Sequence, residues 1–157
     1  MRADGSAAVP VRSRRVRQSL TRSLDSSPDA INTGLQEMFG CDLLARLTDD
    51  SRGTVEIVLA EVLNNVVEHA YAHYPGKIEI SITPGEGYLF IRLVDNGVAM
   101  PGGEVPGGKL SEVTAIEDLP EGGFGWYLIR LLSQELTYMR VGGQNVLSLC
   151  VGVDYTV

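Results

Sequence analysis

KIEISITPGEGYLFIRLVDNG, residues Lys77–Gly97, holds two segments of alternating apolar and polar residues separated by a Pro/Gly turn. Alternation with period two marks a strand with one buried face, and the "PGEG" turn between the segments predicts an antiparallel hairpin. In "YLFIRLVD" the residues Leu89, Ile91, Leu93 and Asp95 share one face, and Tyr88, Phe90, Arg92 and Val94 the other. The first set is apolar apart from Asp95, so helices are expected to cover it. A carboxylate then falls at the edge of the core, where it needs a donor. "DNG" is a strong turn signal by itself, and on composition alone the turn accounts for Asp95. The same placement also suits capture of an exocyclic amino group, with Gly97 letting a flat ring approach the backbone.

Working outward toward the N-terminus, "DDSRGTVEIVLAEVLNNVVEHAYAHY" (49–74) is the strongest helix signal in the chain. Leu59, Val62, Leu63, Val66, Val67 and Ala70 form its apolar arc; Asn64, Glu68, Glu61, Asn65 and His69 form the polar one, with Val58 between Asn65 and His69. Glu61, Asn65 and His69 are four apart, a spacing that stacks side chains on one helix face. A solvated face explains this row on its own. Asn65 and His69 nevertheless border the core, where a ligand between helix and sheet would lie. An Asn amide oxygen suits magnesium, and a Glu one turn earlier suits proton abstraction. The pair His69/His73 has no nearby Cys and is set aside as a metal site. Further upstream, "SSPDA" predicts a helix start with Ser27 as cap and Pro28 in the first turn, continued by Ile31, Leu35, Met38 and Phe39. Val16–Leu24 has strand-like stretches.

Toward the C-terminus, residues 96–123 are rich in Gly and contain Pro101, Pro106 and Pro120, which predicts a long loop. "GEVPGGK" (103–109) imitates part of a P-loop, but Leu110 replaces the Ser or Thr that binds magnesium and Pro106 interrupts the loop. Gly122, Gly123 and Gly125 stand directly before the apolar helix "GWYLIRLLSQ". Free N–H groups at a helix start make a phosphate site, although three glycines also suit a plain hinge. "ELTYMRV" and "NVLSLCVGV" close the chain as two strands around "GGQ". The order β, α, α, β, β, loop, α, β, β predicts an α+β two-layer sandwich, with a mostly antiparallel mixed sheet and about three helices on one face.

Composition bounds the rest. The chain has 157 residues, 44% apolar and 21% charged, which fits one domain over residues 16–157 after a disordered basic lead at 1–15. Six Arg against one Asp give residues 1–24 a net charge of +5, leaving −12 on the remainder of a chain whose total is −7. An acidic body argues against direct nucleic-acid binding. No apolar run approaches the roughly 20 residues that span a bilayer. Cys41 and Cys150 are far apart, which fits a reducing cytoplasm better than a disulfide framework.

Taken together, E-x-x-x-N in "EVLNNVVEHAY", then "VDNG" closing a strand, then a Gly/Pro loop and "LPEGGFGWYLI" resemble the GHKL (Bergerat-fold) ATP-binding superfamily. Within it the chain is most similar to the stand-alone serine/threonine kinases that act as bacterial anti-sigma factors. The resemblance runs from about Val16 to Val153. It implies Glu61 as general base, Asn65 as magnesium ligand and His69 as a phosphate neighbour. It implies Asp95 on the adenine amino group with Gly97 beside the ring, residues 98–121 as nucleotide lid, and Gly122, Gly123 and Gly125 as phosphate-binding backbone. It further implies ATP and Mg2+ as cofactors, a small anti-anti-sigma protein as substrate, a sigma factor as sequestered partner, and homodimers in several cases. The alternative is a nucleotide-gated binding module with little kinase activity. Three departures stand out: Ala99 replaces the third glycine of D-x-G-x-G, Asn145 stands near where many relatives carry Thr, and Trp126 replaces a smaller aliphatic near the expected nucleotide.

Overall fold

A computed structural model describes residues 18–107 and 124–157. The lead at 1–15, most of the expected lid, Gly122 and Gly123 therefore lie outside the described residues.

Five strands form one sheet in the order β1-β2-β3-β5-β4. They are β1 (Leu20–Asp25), β2 (Lys77–Pro84), β3 (Tyr88–Asp95), β4 (Gln134–Val141) and β5 (Gln144–Gly152). Each of the four pairings is antiparallel, so the mixed component of the expected sheet is absent among the described strands. The expected hairpin pairs Ile80 with Leu93 and Ile78 with Asp95. Its inward face buries Ile78, Ile80 and Ile82 on β2 and Leu89, Ile91 and Leu93 on β3. The hairpin of β4 and β5 turns through Gly142 and Gly143, whose φ values of 56° and 78° favour glycine.

The helices are α1 (Pro28–Gly40), α2 (Asp42–Ala45), α3 (Asp49–Asn65) and α4 (Phe124–Leu132). Pro28 opens α1 and the Ser27 hydroxyl caps it by accepting from the Ala30 amide, as its sequence predicts. Thr48 caps α3 by accepting from the Ser51 amide, with Asp49 and Asp50 complementing the positive end of the helix dipole. Val55, Val58, Leu59, Val62 and Leu63 of α3 join the sheet's inward residues in a single core. Val58, which the helical wheel leaves among polar residues, is fully buried. The reason is α4, which packs on α3 and brings Trp126 and Ile129 into the core. Trp126 is thus a core residue at 4% exposure, not a side chain presented to a nucleotide. The opposite face of the sheet has Tyr88, Phe90, Met139 and Val141 exposed.

At Val66 the long helix changes character. Val66–Ala70 is a π turn, in which the Tyr71 amide donates to the Val66 carbonyl five residues back at 3.1 Å. The stack of four-spaced residues therefore stops at Asn65. Glu61 and Asn65 keep α-helical spacing, whereas His69 lies on the π turn and is exposed.

Candidate functional site

β3 delivers Asp95 to the inward face by strand parity alone, and the residue is 4% exposed. Its Oδ1 accepts from the Gly97 amide at 2.9 Å and from Asn145 Nδ2 at 2.7 Å. Oδ1 thus forms the local turn that the sequence predicts, and among the described residues both side-chain hydrogen bonds of the carboxylate fall on Oδ1 and none on Oδ2. Burial pushes the Asp95 carboxyl above the usual carboxylate range, opposed by the bonds from Asn145 and Gly97 and by the nearby Arg140 charge.

Gly97 has a packing reason. A Cβ there would overlap the backbone carbonyl of Ala70, and the Val98 amide donates to that same carbonyl at 2.8 Å. The exit of the long helix is thereby docked onto the turn after β3. Tyr71 adds a second tie: its hydroxyl donates to the Lys77 carbonyl at 2.6 Å and accepts from the Asn96 amide at 2.9 Å. Burial raises the Tyr71 pKa, so this hydroxyl keeps the proton it donates.

About nine residues before Ala70, the same helix meets α4. A Cβ on Gly125 would lie 2.5 Å from Glu61 Oε2 and 3.8 Å from Asn65 Nδ2. Glycine at this position lets the first turn of α4 approach the carboxylate and the amide together. Asn65 Nδ2 is buried without a hydrogen-bond partner among the described residues. A buried amide with an unmatched end is costly, and rotation of the amide can present its oxygen there instead. That fits a magnesium ion held by one protein oxygen and by phosphate oxygens. Among the described residues no group of three or more His, Cys, Asp and Glu forms a metal cage.

The structure thus brings Glu61, Asn65 and Gly125 together in the last turns of α3, and Asp95 and Gly97 beside the π turn that follows directly. Residue by residue at 1.5 Å, Glu61 and Ala70 are roughly 13 Å apart, a length on the scale of a purine, ribose and polyphosphate. Three residues of the network lie beyond the reach of sequence reading: Tyr71, Tyr138 and Arg140. Tyr138 and Arg140 alternate on one face of β4, a parity that could have singled them out. Asn145 is buried at the register position opposite Asp95.

This layout is that of an α+β ATP-binding domain of the GHKL class. Residues 24–151 match the histidine kinase-like ATPase domain family, and the chain belongs to it. The chain is 34% identical over 95 residues to the serine-protein kinase RsbW of Bacillus cereus (strain AH820), an overlap of 59% of each chain. The protein of the same name from Bacillus mycoides (strain KBAB4) is 33% identical over 100 residues, or 62% of each chain. The chain therefore spans about three fifths of the length of the curated relatives it matches. The crystal structure of the RsbU and RsbW domains of Rv1364c from Mycobacterium tuberculosis shares the fold, with a TM-score of 0.57 and 17% identity. That superposition covers 90% of this chain and 34% of the other. No helix among the described residues is long and apolar enough to cross a membrane.

Proposed function

We propose that this protein is an ATP- and magnesium-dependent serine/threonine kinase that phosphorylates a small anti-anti-sigma protein and sequesters a sigma factor in the cytoplasm. The observation that carries the reading is the Glu61/Asn65 pair against the start of α4, on the same helix that docks beside Asp95. Asp95 Oδ2 accepts from the adenine amino group. Glu61 takes the proton of the attacking Ser or Thr hydroxyl as its oxygen bonds to the γ-phosphorus and the bond to ADP breaks. Asn65 would hold magnesium, which supplies charge neutralisation for the phosphates when bound. His69, exposed on the π turn, is placed as a phosphate neighbour by the resemblance, and the amides of Gly122, Gly123 and Gly125 as phosphate donors. Residues 98–121 serve as the nucleotide lid, and a homodimer is in keeping with the same resemblance.

A nucleotide-gated module with little catalysis is the second reading, favoured by Ala99 where a flexible glycine belongs. Glu61→Gln separates the two. It keeps size and polarity but removes the base, which contributes typically 10²–10⁴-fold to rate. ATP binding should stay within about twofold while phosphate transfer to a serine-bearing antagonist falls at least a hundredfold. A wild-type protein that binds ATP and a sigma factor yet transfers no phosphate makes the gated module the better account. Transfer by Glu61→Gln at the wild-type rate removes Glu61 as the base.

A further inference from the structure

Asn145 has all four of its amide capacities filled. Nδ2 donates to Asp95 Oδ1 at 2.7 Å and to the Val98 carbonyl at 2.9 Å. Oδ1 accepts from the Tyr138 hydroxyl at 2.5 Å and from Arg140 Nη1 at 2.9 Å. Both donors point at the oxygen and both acceptors at the nitrogen, so the amide has one orientation. The Arg140 Nη1 also donates to the Gly97 carbonyl at 2.7 Å, and the Tyr138 hydroxyl accepts from the Met100 amide at 3.0 Å. The guanidinium makes no direct ion pair with Asp95. Its charge acts on the carboxylate through space, and it bonds the same Asn145 amide that donates to Asp95.

We propose that Arg140, acting through Asn145, is the positioning residue that keeps Asp95 an acceptor-only carboxylate, and that it thereby sets the site's preference for a 6-amino over a 6-oxo purine. This rests on the reading of Asp95 as the adenine contact. An ionised Asp95 offers only acceptors, which match a 6-amino group and repel a 6-oxo oxygen. A protonated Asp95 carries an O–H that a 6-oxo oxygen accepts, so the same pocket loses its discrimination. Burial favours the protonated form, and the opposing influences are the Asn145 and Gly97 donors and the Arg140 charge. An Arg stays charged at every working pH, and a charged donor on Oδ1 polarises the amide so that Nδ2–H becomes the stronger donor to Asp95. The remaining titratable group facing Asp95 among the described residues is Tyr71, whose hydroxyl is held neutral between Lys77 and Asn96. β2 opposes Asp95 with the apolar Ile78.

The test compares ATP and ITP, which differ at the purine 6-position while sharing phosphates and magnesium, so that their affinity ratio isolates the base contact. Calorimetric titrations at pH 6 and pH 8 would use wild type, Arg140→Gln, Arg140→Lys and Asp95→Asn. Arg140 is exposed, so its replacement empties no core volume. Arg140→Gln should lower the ATP/ITP ratio at least fivefold at pH 6 and much less at pH 8, and Arg140→Lys should restore most of the loss. A ratio unchanged at both pH values, even with weaker binding of both nucleotides, makes Arg140 a structural residue only and overturns the inference. Unchanged ATP affinity in Asp95→Asn would instead overturn the adenine contact itself, a distinct result.

Discussion

Asp95 carries opposite demands in the empty and the liganded protein. Its folded pKa is raised above the ordinary value, with burial as the leading cause. Between the unfolded and folded pKa values the native state holds a proton that the unfolded chain releases. Stability from this group therefore declines as pH rises through that window, and above it the full cost of a buried carboxylate is present. If Asp95 holds the adenine amino group as proposed, nucleotide binding should have the reverse sense, because that contact needs the ionised form, and affinity should be lost as pH falls through the raised pKa. Asp95→Asn removes the charge and presents a part-donor to the adenine amine. ATP affinity should fall at least tenfold, about 1.4 kcal/mol, while the melting temperature of the ligand-free protein at neutral pH should not fall. A variant that loses stability together with affinity would show that Oδ2 has a structural partner.

Two helices carry glycines for which opposite outcomes are expected. In α4, a Cβ on Gly125 would meet the far end of a flexible Glu61 side chain, which can move aside. Gly125→Ala should leave stability unchanged or slightly higher, given the roughly 0.8–1 kcal/mol helix preference of Ala over Gly. Phosphate transfer should nevertheless drop at least tenfold, because the carboxylate is displaced; unchanged transfer would place the productive Glu61 rotamer elsewhere. In α3, Gly53 has nothing within 4 Å of its would-be Cβ. Gly53→Ala there should stabilise the protein by about 0.5–1 kcal/mol without altering ATP affinity, measured by chemical denaturation and calorimetry. The π turn that ends this helix has a different effect: it aims the Ala70 carbonyl at Val98 and the Tyr71 hydroxyl at Asn96, and so joins the helix to the turn after β3.

At the scale of the molecule, the site joins elements that the chain visits far apart: α3, the end of β3, α4 and the β4–β5 hairpin. A ligand that contacts all of them binds the native state alone. Magnesium-ATP at about a hundred times its Kd should then add roughly 2.7 kcal/mol of stability, about 5–10 °C in melting temperature for a chain of this size. Asn65→Ala should remove the part of that increment that depends on magnesium, while a metal-independent increment identical in wild type and variant would remove Asn65 as the ligand.

The amino-acid sequence by itself determined the hairpin of β2 and β3, the inward parity of Asp95, the Ser27 cap and the four-residue spacing of Glu61 and Asn65. These are consequences of local geometry, since a period of two or of about 3.6 residues assigns faces before any long-range contact forms. Tertiary structure alone decided the rest. The π turn removes His69 from the Glu61/Asn65 row because the helix exit docks on Gly97, a contact between residues 27 positions apart in sequence. Val58 and Trp126 are core residues because α4 covers the side of α3 that a single-helix wheel leaves open to solvent. The bonds of Asn145 to Asp95, Tyr138 and Arg140 depend on the register of β5 against β3 and β4. The β4–β5 register follows from the tight Gly142–Gly143 turn, but that of β5 against β3, about fifty residues apart at Asp95 and Asn145, is set by packing of the sheet, and a one-residue slip there would turn Asn145 to the opposite face.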